Sequence, residues 1–84
     1  MMTVTLRYWA SAKAAAGLAE EAIDADSLAA ALDQAGDRHG KAMRQVLARC
    51  SFLIDGNPVG NRRHSSIALR PGAVVEVLPP FAGG

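Results

Sequence analysis

Two strand-like segments, one near each end of the sequence, limit the fold more than any other feature. Residues 3–10 read TVTLRYWA and place Val4, Leu6 and Tyr8 on one side, the period of a half-buried strand. Residues 73–78 read AVVEVL and follow Pro71-Gly72, a dipeptide typical of turns. The chain is therefore predicted to begin and end in strands, with its helical segments between them.

The main helical segment is DSLAAALDQAG, residues 26–36. Asp26 and Ser27 are N-cap residues, and Gly36 is expected to end the helix. Its apolar face falls at positions i, i+3, i+4 and i+7, namely Leu28, Ala31, Leu32 and Ala35. A second helical stretch is predicted from about Lys41 to Arg49 on the same spacing.

The connecting segments predict short elements. SAKAAAG, residues 11–17, is expected to form one helical turn that Ser11 caps and Gly17 ends. LAEEAID, residues 18–24, fits an edge strand returning beside the first. SFLID, residues 51–55, and the Asp55-Gly56 dipeptide at its end indicate a hairpin, and one further turn is expected at residues 67–69.

With 84 residues, the chain has room for one domain. Strands at both ends around one principal helix predict an α+β fold in which a mixed sheet carries one main helix across one face. The expected core is small: Val4, Leu6, Tyr8, Ile23, Leu28, Leu32, Val46, Leu47, Phe52, Ile54, Val75 and Val77.

Charge and composition exclude several functions. The formal net charge is +1 with acidic and basic residues mixed, so we expect no nucleic-acid partner. The sequence has no secretory leader pattern and no long apolar run, which predicts no membrane partner and a cytoplasmic location. A single cysteine, Cys50, cannot form an internal disulfide.

The sequence offers few candidates for catalysis. His39 and His64 have no other ligand at metal-binding spacing, so they are interpreted as solvated loop residues and no metal site is predicted. Cys50 is interpreted as a small, partly buried apolar residue rather than a nucleophile. The run Arg62, Arg63, His64 is interpreted as a solvated loop. We therefore expect no activity from this chain alone and no cofactor bound to it.

The last six residues, PPFAGG, hold the one group suited to chemistry, the α-carboxylate of Gly84. Its unperturbed pKa is about 3.5, so it is ionised at neutral pH and can attack an activated phosphate. Gly83 and Gly84 carry no side chains, so a partner enzyme can close around them. Pro79 and Pro80 favour an extended path, and residues 79–84 could reach roughly 20 Å. Frayed ends rich in small residues are also common.

Taken together, the segments TVTLRYWASAKAAAG, DSLAAALDQAG, FLIDGNPV and LRPGAVVEVLPPFAGG resemble the small sulfur-carrier subunits of molybdopterin synthase. These carriers are relatives of ubiquitin with a β-grasp fold, and the resemblance runs over the whole length. It implies a β-grasp domain at 1–78 and an extended tail at 79–84. RPGA stands where such carriers commonly have an acidic Gly-Asp turn.

The resemblance implies a reaction cycle. An activating enzyme related to the ubiquitin-activating enzymes would use ATP and Mg to adenylate the Gly84 carboxylate, and a sulfur donor would convert it to a thiocarboxylate. The tail would then enter the large synthase subunit, in a complex expected to be a heterotetramer. There the sulfur would build the dithiolene of molybdopterin.

Three alternatives remain open from the sequence. Sulfur carriers for thiamine thiazole or cysteine synthesis share the fold and the Gly-Gly end. A ubiquitin-like modifier would instead form isopeptide bonds with lysines of its targets. A plain binding module would tolerate loss of Gly84.

Strand alternation predicts a docking surface on the sheet face away from the helix. If the core residues of the strands face the helix, then Trp9, Leu53, Val74 and Leu78 face the other way. Scattered apolar surface residues are common, but an apolar patch with an aromatic residue often marks an interface. The predicted partner-binding residues are Trp9, Leu53, Leu78, Pro79, Pro80, Phe81 and Ala82.

Overall fold

A computed structural model describes residues 3–80 of the chain. These residues form five strands and three α-helices: β1 (Thr3–Tyr8), α1 (Ala10–Ala16), β2 (Glu20–Asp24), α2 (Leu28–His39), α3 (Lys41–Leu47), β3 (Ser51–Ile54), β4 (Asn57–Pro58) and β5 (Val74–Leu78). A short 3₁₀ helix, His64–Ser66, lies between β4 and β5. The predicted α+β class is confirmed.

The strands form one mixed sheet in the order β2-β1-β5-β3-β4. β1 and β5 are parallel and lie at the centre, with Leu6 opposite Val75 and Tyr8 opposite Val77. β2 pairs antiparallel with β1, and β3 pairs antiparallel with β5. This is the β-grasp arrangement, with the terminal strands side by side.

The core lies between the sheet and the helices. Nine of the twelve residues predicted for it are buried: Val4, Leu6, Tyr8, Ile23, Leu28, Leu47, Phe52, Val75 and Val77. The other three, Leu32, Val46 and Ile54, are only partly buried and pack against its margin. Met43, which lies on the apolar spacing of the second helical stretch, is also buried, as are Val59, Ile67 and Leu69, which sequence periodicity did not identify. The three that follow the β3–β4 hairpin lie outside any regular helical or alternating pattern.

The expectation that Gly36 ends the main helix was wrong. α2 continues to His39, and Gly40, with φ of 93°, separates it from α3. Gly36 is buried inside the helix because the Arg44 side chain of α3 crosses it: a Cβ at this position would lie 2.8 Å from that side chain. The glycine thus allows close packing of α3 on α2 and does not mark a helix end.

Two other helical predictions need correction. α1 has seven residues and begins after Trp9, which occupies the N-cap position, so Ser11 lies inside the helix and does not cap it. The turn expected at residues 67–69 lies instead at His64–Ser66. The prediction that Gly17 ends α1 in a left-handed conformation is confirmed, with φ of 79°.

The predicted hairpin between β3 and β4 is confirmed. Asp55 and Gly56 both have positive φ, 49° and 85°, as the tight turns of two-residue hairpins require. The Asp55 side chain also accepts a hydrogen bond from the backbone N–H of Val74, at 3.0 Å. The hairpin turn is thereby fixed to the start of β5.

Candidate functional site

The sheet face away from the helices carries the apolar residues that strand alternation assigned to it. The backbone N–H of Trp9 donates to the Val77 carbonyl at 3.2 Å, which continues the parallel pairing and sets Trp9 beside Leu78. Leu78 lies opposite Ser51, so Leu53 is its diagonal neighbour on β3. Trp9 is 45% exposed, and Leu53, Val74 and Leu78 are partly buried. Trp9 is therefore not part of the core.

Charged residues cross the middle of this face. Arg7, on β1, lies opposite Glu76 of β5, and Glu76 lies opposite Leu53 of β3. The apolar surface is thus concentrated around Trp9 and Leu78, where β5 ends. The chain continues from Leu78 directly into Pro79, so this patch adjoins the root of the C-terminal segment.

A groove runs beside the root of the C-terminal segment. Pro79 is partly buried and Pro80 is exposed. The groove has a volume of about 830 Å³, and its lining includes Ser11 of α1, Val46 of α3 and Arg49, together with both prolines. Phe81, Ala82, Gly83 and Gly84, all predicted site residues, lie outside the described part of the chain.

A polar cluster around Glu21 was missed by the sequence analysis. The Tyr8 hydroxyl donates to Glu21 Oε2 at 2.5 Å, and His39 Nε2 lies 2.5 Å from the same oxygen. The Arg38 guanidinium donates to Oε1 at 3.0 Å. The Glu21 side chain is only 9% exposed. The interpretation of His39 as a solvated loop residue was wrong. His39 lies in the last turn of α2, and its contacts with Glu21 and Tyr8 join this helix to β2 and β1.

Glu21 is held in its charged form by these contacts. Burial raises the pKa of a carboxyl group, but the hydrogen bonds from Tyr8, His39 and Arg38 outweigh it, so the pKa of Glu21 lies below its usual value. Burial and the neighbouring carboxylate raise the pKa of the Tyr8 hydroxyl. Tyr8 therefore remains a proton donor throughout the physiological range.

We predict that Glu21→Gln lowers the free energy of unfolding by about 1.5 kcal/mol at pH 7, because a buried charge-assisted network loses its acceptor. Since the pKa of Glu21 is lowered in the folded state, its stabilisation is present above the unfolded pKa, about 4.3, and is lost as pH falls through the folded pKa. Urea titrations at pH 7 and at about pH 3 should show the difference between wild type and variant shrinking in acid. Glu20→Gln, at the exposed neighbour, is the control; an equal effect there would contradict the prediction.

Cys50 is placed as a structural residue. Its thiol donates to the Val46 carbonyl at 3.2 Å, and burial raises the pKa of the thiol to about 11. The reactive thiolate is therefore a very small fraction of the population at neutral pH.

The resemblance to sulfur carriers implies loading of sulfur at Gly84, and Cys50→Ala is predicted to leave such loading, and the later transfer, unchanged. Alkylation of the wild-type thiol at pH 7.5 should also be at least about tenfold slower than that of free cysteine. Both can be followed by intact mass spectrometry. Rapid alkylation, or failure of the alanine variant to load sulfur, would show that Cys50 takes part in the chemistry.

The remaining polar candidates also have structural contacts. The ring of His64 packs edge-on against Phe52, with centroids 5.1 Å apart. Arg62 donates to the carbonyls of Val59 and Pro58, at 3.0 and 3.3 Å, so it is fixed to its own loop. Within residues 3–80, no group of three or more His, Cys, Asp or Glu side chains is placed to hold a metal ion.

Of the helices in residues 3–80, none is long and apolar enough to cross a membrane. The described residues provide a five-stranded sheet with an apolar patch beside the point where the chain continues from β5 into Pro79 and Pro80. The class that this architecture defines is the ubiquitin-like β-grasp protein.

Comparison with known proteins identifies the family. The sequence matches the ThiS family over residues 6–84, and the chain belongs to that family. It is thus a ubiquitin-like sulfur carrier. No curated protein sequence shows significant similarity to the chain.

Solved structures share the fold at low sequence identity. The small archaeal modifier protein 1 of Methanosarcina acetivorans is 21% identical, with a TM-score of 0.85 over 100% of this chain and 98% of that one. A Pyrococcus furiosus protein, provisionally assigned as molybdopterin converting factor subunit 1, is 22% identical, with a TM-score of 0.81 over 96% and 100%. In the complex of subunits 1 and 2 of the molybdopterin-converting factor from Helicobacter pylori, the matching chain is 23% identical, with a TM-score of 0.69 over 99% and 100%.

Proposed function

We propose that this chain carries sulfur as a thiocarboxylate on Gly84 and delivers it for the dithiolene of molybdopterin, in molybdenum cofactor biosynthesis. The observation that carries the proposal is the extent of the family match, which runs from residue 6 through the Gly-Gly sequence to residue 84. In this reading the chain is a carried reagent, and the enzymes that act on its tail supply the catalysis.

The chemistry requires activation of the carboxylate. A carboxylate is a poor electrophile until one oxygen belongs to a leaving group. Attack of the Gly84 carboxylate on the α-phosphorus of ATP forms an acyl adenylate and releases pyrophosphate. A sulfur nucleophile then displaces AMP to give the thiocarboxylate. ATP and Mg belong to the activating enzyme, which is related to the ubiquitin-activating enzymes.

The structural relatives support the molybdopterin branch. One of the matched structures is provisionally assigned as subunit 1 of a molybdopterin-converting factor, and another is a complex of subunits 1 and 2 of such a factor. By analogy, we propose the large synthase subunit as the acceptor of the tail, in a cytoplasmic heterotetramer. The thiazole and cysteine pathways remain alternatives with the same tail chemistry.

A conjugating modifier is the second candidate function. It is favoured by the fold similarity to a small archaeal modifier protein, which has the highest TM-score of the three structures described above, 0.85. A modifier would join its terminal carboxyl to lysines of other proteins. It would therefore produce a ladder of larger species on a denaturing gel, whereas a sulfur carrier would not.

Intact mass spectrometry tests the proposed function. The chain purified from cells with an active pathway should show a species heavier by about 16 Da, as expected when one oxygen is replaced by sulfur. The species should be absent from cells that lack the activating enzyme. Addition of the large synthase subunit and its pterin precursor should then convert it back to the carboxylate. A ladder of conjugates without the heavier species would support the modifier instead.

The docking surface for both partners is proposed to be the patch around Trp9. Trp9, Leu53 and Leu78 lie on the open face of the sheet, next to the chain's exit through Pro79 and Pro80. Phe81 and Ala82 would continue this contact along the tail. Because one patch would serve the activating enzyme and the large subunit, the two must bind in turn.

A further inference from the structure

The edge of β2 carries an unusual set of contacts from helix α2. β2 forms one end of the sheet, so one side of its backbone faces away from β1. The N–H of Tyr8 donates to the Ala19 carbonyl at 2.7 Å, which fixes the alternation of the antiparallel pair. It follows that the backbone N–H and carbonyl groups of Glu20, Ala22 and Asp24 point to the free edge.

Two of these outward carbonyls are occupied by side chains of α2. Gln34 Nε2 donates to the Asp24 carbonyl at 2.6 Å, and an Arg38 guanidinium nitrogen donates to the Ala22 carbonyl at 3.1 Å. The spacing of these two side chains along α2 explains why they reach alternate carbonyls of β2. Gln34 and Arg38 are one helical turn apart, about 6 Å along the axis, and alternate carbonyls of a strand are about 6.7 Å apart.

The side chains of the edge add a second barrier to pairing. Glu20, Ala22 and Asp24 pair in register with Arg7, Thr5 and Thr3, on the sheet face away from the helices. If two copies paired antiparallel about Ala22, each Glu20 would lie opposite Asp24 of the other copy. Like charges placed directly opposite each other destabilise a strand pair.

The opposite end of the sheet is protected differently. β4 has only two residues, Asn57 and Pro58, and proline has no N–H to donate. The longer β2 edge is the one that could template another strand.

We infer that the β2 edge is a latent pairing surface for a second copy of this chain, and that Gln34 and Arg38 hold it closed. An uncovered edge strand tends to pair with another chain, and proteins suppress this with charges or covering groups. Closure of the edge leaves the open sheet face and the tail as the surfaces for productive contacts. The inference does not depend on the sulfur chemistry.

A set of three variants separates the effect of Gln34 and Arg38, here called the caps of the outward carbonyls, from the effect of the charges on Glu20 and Asp24. Glu20→Lys alone makes the edge self-complementary, because residue 20 then lies opposite Asp24 with the opposite charge, but it keeps both caps. Gln34→Ala with Arg38→Ala removes the caps and keeps the repulsion. The triple variant has neither barrier. We expect its apparent dimer dissociation constant to be at least about tenfold lower than that of Glu20→Lys, the gain from two freed carbonyls.

Sedimentation velocity over a concentration series measures the association. Amide hydrogen exchange locates it: the Ala22 amide should become protected as the triple variant dimerises. The inference is overturned if the folded triple variant stays monomeric, if Glu20→Lys alone associates as strongly, or if the Ala22 amide gains no protection.

Arg38 also bonds Glu21, so its replacement could unfold the chain, which circular dichroism would show. In that event Glu20→Lys with Gln34→Ala decides, because it frees the Asp24 carbonyl and leaves the donors of Glu21 in place. We expect an approximately threefold lower dissociation constant than for Glu20→Lys alone. An unchanged constant overturns the inference.

Discussion

Deletion of Gly84 is expected to abolish sulfur loading and transfer while leaving the fold intact. The reactive carboxylate would then lie one residue short, a shift of about 3.5 Å, and catalysis tolerates misplacement of about 1 Å poorly. One residue appended after Gly84 should have the same effect, because it moves the carboxylate by the same distance in the other direction. The measurement is the fraction of chain carrying the additional mass after incubation with the activating enzyme, ATP and a sulfur source.

Two observations control this experiment. Thermal unfolding should match wild type within about 2 °C, since a terminal residue contributes little to the core. Gly83→Ala keeps the length and adds a methyl group, which would obstruct a partner channel that admits only glycine, so we expect an approximately tenfold slower reaction. Normal transfer by the Gly84 deletion would refute the carrier function, and an undiminished rate for Gly83→Ala would argue against a narrow channel.

Much of the fold follows from local sequence patterns. Alternation in segment 3–10 and the apolar segment 73–78 after the Pro71-Gly72 turn identified the two central strands, and Asp55-Gly56 identified the hairpin, because each pattern has a geometric cause within a few residues. The β-grasp fold, and with it the order of the strands, came from the family resemblance, since pairing between distant segments leaves no local signal. The ThiS family match and the structural similarities confirm the β-grasp assignment.

Two of the errors, at Gly36 and His39, arise from contacts between different elements of the fold. A glycine after an apolar helical segment is typical of a helix end. At Gly36, however, the side chain of Arg44 from the next helix crosses the backbone, and only a residue without a side chain leaves room for it. The contacts of His39 could not be predicted from neighbouring residues, because its partner Glu21 is 18 residues away on β2. A signal for this cluster was present in the sequence. Glu21 lies two residues before Ile23 and therefore on the same, inward side of the predicted edge strand, where an unpaired carboxylate would be costly.

The site was predicted less completely than the fold. Alternation placed Trp9 on the open face, and its 45% exposure agrees with that placement. The groove between α1, α3 and the two prolines could not be foreseen, since three separate segments form it.

Trp9→Ala is expected to weaken binding of both partners by about 2 kcal/mol, roughly 30-fold in the dissociation constant, if the tryptophan is the anchor of the patch. Its contribution to folding should be small, because the contacts that fix this position belong to the backbone. Its carbonyl accepts hydrogen bonds from Ala12 and Lys13, and its N–H donates to Val77. Alanine keeps all three, so we expect the free energy of unfolding to change by no more than about 1 kcal/mol.

Calorimetric titration of the variant against the activating enzyme and the large synthase subunit measures the two affinities. Lys41→Ala, an exposed position on α3, is the control and should leave both unchanged. A loss toward only one partner would mean that the two use different surfaces and need not bind in turn. If both affinities stay within about twofold of wild type, Trp9 is not an anchor, and docking must depend on the tail or on the groove beside Arg49. If Trp9→Ala instead unfolds, its ring supports the domain more than its exposure indicates, and the docking surface must be sought elsewhere.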